Sequence, residues 1–297
     1  MKTKFSGMAY LSTLLLLLLF VPATLSAMET DVFVVRDLTG KLSVDRQTAL
    51  VKDAREKLDR VLAFYGVGAK VENLGKIRLE FDEPRSGTYS TVFITVKEGN
   101  RKVRVVRIFG VDKEPQMVAH KLTHAIFISP DKLIRNMMGI PMERRFGNPL
   151  TFPMCGFSVD EWVEAFRRKQ SYIPLSELSP DHEQWGMSTR GGVPVVLNKP
   201  RQHVMYAESG SFGEYLLASY SAEKMKRFWR LSEGGKRPWE EVFGFPLKEL
   251  EARWLKALEA KKPEEKNVEA LLHLLNRNPK DACSEAQRLQ GASAAGK

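Results

Sequence analysis

Met117-Val118-Ala119-His120-Lys121-Leu122-Thr123-His124-Ala125-Ile126-Phe127 decides how this 297-residue chain is read. Histidines four apart lie on one face of a helix, so the imidazoles of His120 and His124 can converge on a single metal ion. The chain has five histidines, and apolar residues surround this pair on nearly all sides, which argues for inherited site geometry over coincidence. Hydrolysis at such a metal needs a carboxylate beside the metal-bound water, to take its proton and pass it to the leaving group. The residue that should supply it, directly after the first histidine, is Lys121. One turn of helix thus points to a metal-site geometry and away from the chemistry that geometry serves.

On the N-terminal side of this helix the pattern is that of a helix on a small sheet. Residues 31–36 read as a strand, and 45–65 as an amphipathic helix with Leu50, Ala54, Leu58, Val61, Leu62 and Tyr65 at helical spacing. Strands are predicted over 76–81, 91–96 and 102–109, the last two joined by the hairpin-type connection Lys97-Glu98-Gly99-Asn100-Arg101. On the C-terminal side the pattern is helical, over 114–126, 131–138, 159–168, 203–220, 222–231, 238–242 and 247–260. The Gly- and Pro-bearing stretch 179–201 reads as irregular. A charged, Pro-containing linker over 261–266 precedes a short helix at 268–275, and the small, polar tail 291–297 reads as disordered. The fold class is therefore α+β.

The order of these segments carries a resemblance. Ala119-His120-Lys121-Leu122-Thr123-His124-Ala125-Ile126, behind a helix-plus-sheet lobe and ahead of a helical one, resembles the gluzincin metallopeptidases of the peptidase MA-like group. In that family a glutamate from a later helix completes the metal site. The matching segment is Val159-Asp160-Glu161-Trp162-Val163-Glu164-Ala165-Phe166, with Glu161 37 residues beyond His124. Trp162 stands in the place of the family's glycine and Glu164 in that of its alanine. In an alternative register Glu164 is the ligand and Ala165 takes the glycine position. Ser171-Tyr172-Ile173-Pro174-Leu175-Ser176-Glu177-Leu178, the stretch Tyr206-Ala207-Glu208-Ser209-Gly210-Ser211-Phe212 and the helix around Trp254 are similar to later family segments, so the likeness covers about 31–260.

The resemblance implies a zincin (thermolysin-like) fold, with a small mixed N-terminal lobe and a helical C-terminal lobe. It implies zinc held by His120, His124 and Glu161 (or Glu164), with Lys121 in the position of the general base. Tyr206 or His203 would donate a hydrogen bond to a reacting oxygen, although Tyr206 reads more readily as a core aromatic of a packed helix. Two unit charges 4 Å apart repel by about 4 kcal/mol at an effective dielectric near 20, and zinc carries two. The metal is then absent, or bound weakly with Lys121 turned aside, or accompanied by a deprotonated Lys121. The expectation is a degenerate zinc peptidase, a pseudoenzyme that binds a peptide or protein ligand with little or no hydrolysis. The alternatives are an active zinc-dependent peptidase with a substitute base such as Glu161 or Glu164, and a metal-free interaction protein whose cleft is filled by Trp162 and Lys121.

The remaining signals concern location. Lys2 and Lys4 precede an apolar run over 11–21, and Ala23, Ser26 and Ala27 follow it, which reads as a secretory signal peptide over 1–27 cut near Ala27. Uncleaved, it would be a membrane anchor, although it is short for a span of about 20 apolar residues. The peptidase-like domain is then 28–260, followed by 261–297. Export would place the chain in a periplasmic or extracellular setting, where Cys155 and Cys283 could form its one available disulfide. The net charge of +10 falls to about +8 without Lys2 and Lys4. That basicity permits association with anionic envelope components. No aromatic-interleaved basic stretch suggests nucleic acid.

Overall fold

Parallel strands cannot be joined by a tight turn, and the N-terminal half of the chain solves this with a helix. The structure, a computed structural model, describes residues 28–67, 75–113, 115–178 and 180–295. The expected signal segment 1–27 lies outside them. Strand β1 (Met28–Glu29) pairs antiparallel with β2 (Phe33–Asp37). Helix α1 (Val44–Phe64) then crosses over, so that β3 (Ile77–Asp82) returns parallel to β2. The hairpin of β4 (Thr91–Glu98) and β5 (Arg101–Phe109) completes a five-stranded sheet in the order β1-β2-β3-β5-β4. Strand β5 runs parallel to β3, and β4 is an antiparallel edge. The Ser43 hydroxyl caps α1 by accepting from the Arg46 amide at 3.2 Å. Val51, Ala54, Leu58 and Val61 of α1 are buried with Phe33, Leu79 and Val106 of the sheet.

The histidine helix α2 (Val118–Ile126) is buried at every position and packs against α1, β4, β5 and α3 (Lys132–Phe146). Helix α4 (Val159–Arg168) and the short hairpin β6 (Met187–Arg190) and β7 (Val193–Val196) lead to the long helix α5 (Lys199–Ser219). Then follow α6 (Ala222–Leu231), α7 (Trp239–Phe243), α8 (Leu247–Lys261), α9 (Glu265–Arg277) and α10 (Ala282–Ala295). One contiguous set of buried side chains runs from the sheet through α5 to α10. The protein is thus an α+β fold with its sheet in the N-terminal part and helices thereafter.

Several elements depart from the sequence reading. Helix α2 starts at Val118, not at 114, and α3 continues to Phe146 where the glycine at 139 and proline at 141 predict a stop near 138. Packing overrides the propensity: α3 is clasped between α2 and α5, and its buried residues run to Glu143. The stretch 179–201 is not wholly irregular. Its β6–β7 hairpin turns at Gly191-Gly192 and docks beside β4, where the Thr88 hydroxyl donates to the Pro194 carbonyl at 2.6 Å. Of the tail expected to be disordered over 291–297, residues 291–295 belong to α10, a helix the composition does not reveal, and 296–297 lie outside the described residues. Cys283 is bonded to Cys155, Ala282 and Ala286 are buried, and Gln287 donates to the Leu150 carbonyl at 2.6 Å. Among the described residues no helix is long and apolar enough to cross a membrane.

The segment Tyr172-Ile173-Pro174-Leu175 is fastened by two carboxylates. Glu251 accepts from the Leu175 amide at 2.8 Å and from the Tyr172 hydroxyl. Glu208, fully buried, accepts from the Ile173 amide at 2.9 Å through Oε1, while its Oε2 has no partner among the described residues. Burial holds the Glu208 carboxyl well above its ordinary value. A carboxyl raised on folding favours the native state most at pH below its unfolded value, and that advantage is lost as pH rises toward the folded value. Glu208→Gln keeps the Oε1 acceptor and removes the ionisation. The variant is expected to lose less melting temperature than the parent between pH 5 and pH 8; parallel pH profiles would show that Glu208 does not set this slope.

Candidate functional site

The two histidines are held by their neighbours in the fold. Met117, before α2, supplies no side-chain cap, and its own amide donates to Thr91 Oγ1 at 3.1 Å. Glu143 of α3 takes the open end of the helix instead, accepting from the His120 amide at 2.8 Å and from the Asn148 amide at 3.1 Å. Burial pushes the Glu143 carboxyl up to about 7. The rings of His120 and His124 stand edge to face with centroids 4.4 Å apart. His120 Nε2 lies 3.2 Å from Asn136 Oδ1, and His124 Nε2 lies 3.1 Å from the Arg135 carbonyl oxygen. A carbonyl only accepts, so His124 carries its proton on Nε2. Burial first, and the neighbouring cations and ring after it, hold both imidazoles well below their ordinary value and hence neutral.

Lys121 turns inward. It is 3% exposed, with its ammonium 5.3 Å from the Tyr89 ring centroid and 6.0 Å from that of Tyr206. Lys132, 2% exposed, sits 4.9 Å from the Trp185 ring centroid and 5.3 Å from that of Tyr206, and touches the Met187 sulfur. Arg135 of α3 is half-buried, and its Nε is fully buried and donates to nothing among the described residues. Burial, assisted by Arg135, brings the Lys121 amine down to about 7 and the Lys132 amine to about 6. These three side chains, with His124, Asn136, His182 and Tyr206, line a cavity of about 30 Å³. None of its lining residues is acidic.

The structure does not bring the expected carboxylates to the histidines. Glu161 closes a capping box on α4: it accepts from the Ser158 amide at 2.7 Å and hydroxyl at 2.8 Å, and from Asn267 Nδ2 of α9 at 2.7 Å. Glu164 pairs with Arg167 at 3.3 Å and Arg168 at 2.9 Å. Trp162 is buried, donates to the Met154 carbonyl at 2.8 Å and packs on His203 at 4.1 Å, so it belongs to the core and not to this cavity. His203 Nε2 lies 2.9 Å from the Pro153 carbonyl. Tyr206 does reach the cavity, with its ring 5.6 Å from Tyr89 and 6.4 Å from His120.

Two imidazoles whose Nε2 atoms are engaged by protein acceptors, with three cationic side chains about them, are a poor donor set for zinc, which is held by deprotonated or neutral donors and offset by acidic ones. Among the described residues no group of three or more His, Cys, Asp or Glu is placed to hold a metal ion. Lys132, Arg135, Asn136, His182 and Tyr89 are the members of the site that sequence reading passes over. The signal for three of them was present: Lys132, Arg135 and Asn136 sit at i, i+3 and i+4 of the next helix, hence on one face.

Tyr89 also walls a second, larger space. A groove of about 520 Å³ runs beside it between the 85–90 segment, Phe152, the start of α5 and the start of α10. Arg85, Lys199 and Lys280 line this groove and no acidic residue does. No family model matches the chain, and no curated protein or solved structure is significantly similar to it.

Proposed function

We propose that this chain is an exported, zincin-type metallopeptidase-like protein whose cleft binds a peptide or envelope ligand with little or no hydrolysis. The observation that carries the reading is Lys121: the residue in the general-base position is buried, packed against Tyr89 and Tyr206, and joined by two further basic side chains. No carboxylate lines the cavity to take a proton from water, so the arrangement favours holding a ligand over cleaving it. The antiparallel edge strand β4 beside the histidine helix, and the helices that follow, support a zincin-like ancestry. The groove next to the cavity is large enough for several ligand side chains. The Cys155–Cys283 bond suits an oxidising compartment, in keeping with the signal segment.

The engagement of both Nε2 atoms favours a metal-free form of this reading over a zinc-loaded one. Elemental analysis of the purified protein is expected to find zinc far below one equivalent, both in the parent and in a His120→Ala, His124→Ala variant. Peptide hydrolysis that a chelator abolishes would refute the reading. Lys121→Glu is expected to leave hydrolysis undetectable, because the new carboxylate would pair with Lys132 and Arg135 in place of activating water; a gain of chelator-sensitive proteolysis in that variant would show an intact metal site.

A further inference from the structure

Three basic side chains from two helices meet at one small cavity, and no carboxylate among the described residues lines it. The carboxylates near enough to act on them are already engaged. Asp131 accepts from Arg237 at 2.6 and 3.2 Å and caps α3 by accepting from the Leu133 amide at 2.9 Å. Glu143 is taken up by the amides of His120 and Asn148. The ammonium of Lys121 makes no hydrogen bond among the described residues, and that of Lys132 has only the Met187 thioether, a weak acceptor. The guanidinium of Arg135 keeps its charge at any accessible pH and leaves its buried Nε without an acceptor. A buried cation without an acceptor is costly, and natural structures keep such groups where something external completes them.

We propose that this cavity is a carboxylate-binding site, in which Lys121, Lys132 and Arg135 hold the two oxygens of a ligand carboxylate and Asn136 and Tyr206 complete the wall. Size favours the smaller oxyanion: a cavity needs at least about 10–15 Å³ to hold one water, and one of about 30 Å³ suits the two oxygens of a carboxylate better than the four of a phosphate. The rings of Tyr89, Tyr206 and Trp185 lie 4.9 to 6.0 Å from the two lysine nitrogens and favour their charged forms, against the effect of burial. The site stands on the cavity alone. Its assignment to the carboxylate of a peptide rests on the function proposed above, with Tyr89 as the wall shared between the cavity and the basic groove that would take the peptide body.

The test titrates the purified protein with sodium acetate and with sodium phosphate at constant ionic strength, followed by calorimetry and by melting temperature. It then compares an acidic tetrapeptide as free acid with the same peptide as its C-terminal amide. Acetate is expected to bind saturably and to raise the melting temperature, and phosphate not to. Lys132→Met, which replaces one buried cation by an apolar side chain of similar length, is expected to melt higher than the parent without acetate and to lose about tenfold or more in acetate affinity. Lys121→Met reads out the same loss from the other helix should Lys132→Met fail to fold. Tighter binding of the free-acid peptide supports both the site and its ligand class. Acetate binding that the variants lose, together with equal binding of acid and amide, leaves the site standing and removes the peptide. Phosphate binding as tight as acetate, or variants that bind acetate like the parent, would overturn the proposal.

Discussion

Replacing Cys155 and Cys283 together by serine is expected to lower unfolding stability by about 4 kcal/mol, a large share of the roughly 5–15 kcal/mol of a typical domain. The bond joins residues 128 apart with their Cα atoms 5.3 Å from each other. Closing so long a loop in the unfolded chain removes much of that state's conformational freedom, which is why the expected effect lies at the upper end of the usual range. The native contacts of α10 are modest by comparison. They include the buried Ala282 and Ala286, the Gln287 bond to Leu150 and the pairing of Arg277 with Glu285. Without the bond α10 is expected to fray first, opening the wall that Cys283, Ser284 and Gln287 give to the large groove. Denaturant midpoints of parent and variant, each with and without a thiol reductant, check this. The reduced parent should fall to the variant's midpoint, and the variant should ignore the reductant. A variant as stable as the oxidised parent would show that packing alone holds α10.

The sequence made the sheet-bearing half readable because its signals are local. The hydrophobic spacing of α1 follows from which face is buried, β4 and β5 are rich in β-branched residues, and the hairpin between them is marked by Gly99-Asn100. What escaped was set by contacts distant in sequence. The run of α3 through Gly139 and Pro141 is imposed by α2 and α5, and α10 is fixed by a cysteine more than a hundred residues away. Neither is visible in a window of fifteen residues.

The site shows the same division. The helical spacing of His120 and His124, and the oddity of Lys121 between them, are legible from one turn. The carboxylate expected to join them is better explained by its immediate neighbours: Ser158 and Glu161 are three apart before an apolar stripe, the pattern of a capping box, and the box is what forms. The reading of Lys121 as a lone replacement also changes once α3 is in place. Lys132 and Arg135 arrive at the same cavity, and a single substitution becomes part of a basic cluster. A cluster of that kind accords with the ligand site proposed above, since three basic side chains in so confined a space are costly without a partner.

Gly213→Ala is expected to cost about 3 kcal/mol and to weaken the cavity with it. Helices α3 and α5 cross where Gly213 lies against Met137, and a methyl group on Gly213 would fall 2.8 Å from the Met137 carbonyl carbon and 2.9 Å from its Cα. These are backbone atoms that no rotamer change can move aside. Pro141 has no amide hydrogen to offer the Met137 carbonyl four residues earlier, and the Met137 backbone is what lies nearest Gly213. Separating the helices shifts α3 near Asn136, which meets His120, and one turn from Lys132 and Arg135. The variant should therefore show a lower denaturant midpoint and a weaker response to acetate together. Gly291→Ala in α10 is the matched control: nothing lies within 4 Å of the added methyl, and the gain in helix propensity should stabilise by about 0.5–1 kcal/mol. If Gly213→Ala instead melts like the parent, the α3–α5 crossing has slack to absorb a methyl group, and the placement of α3 cannot depend on that glycine.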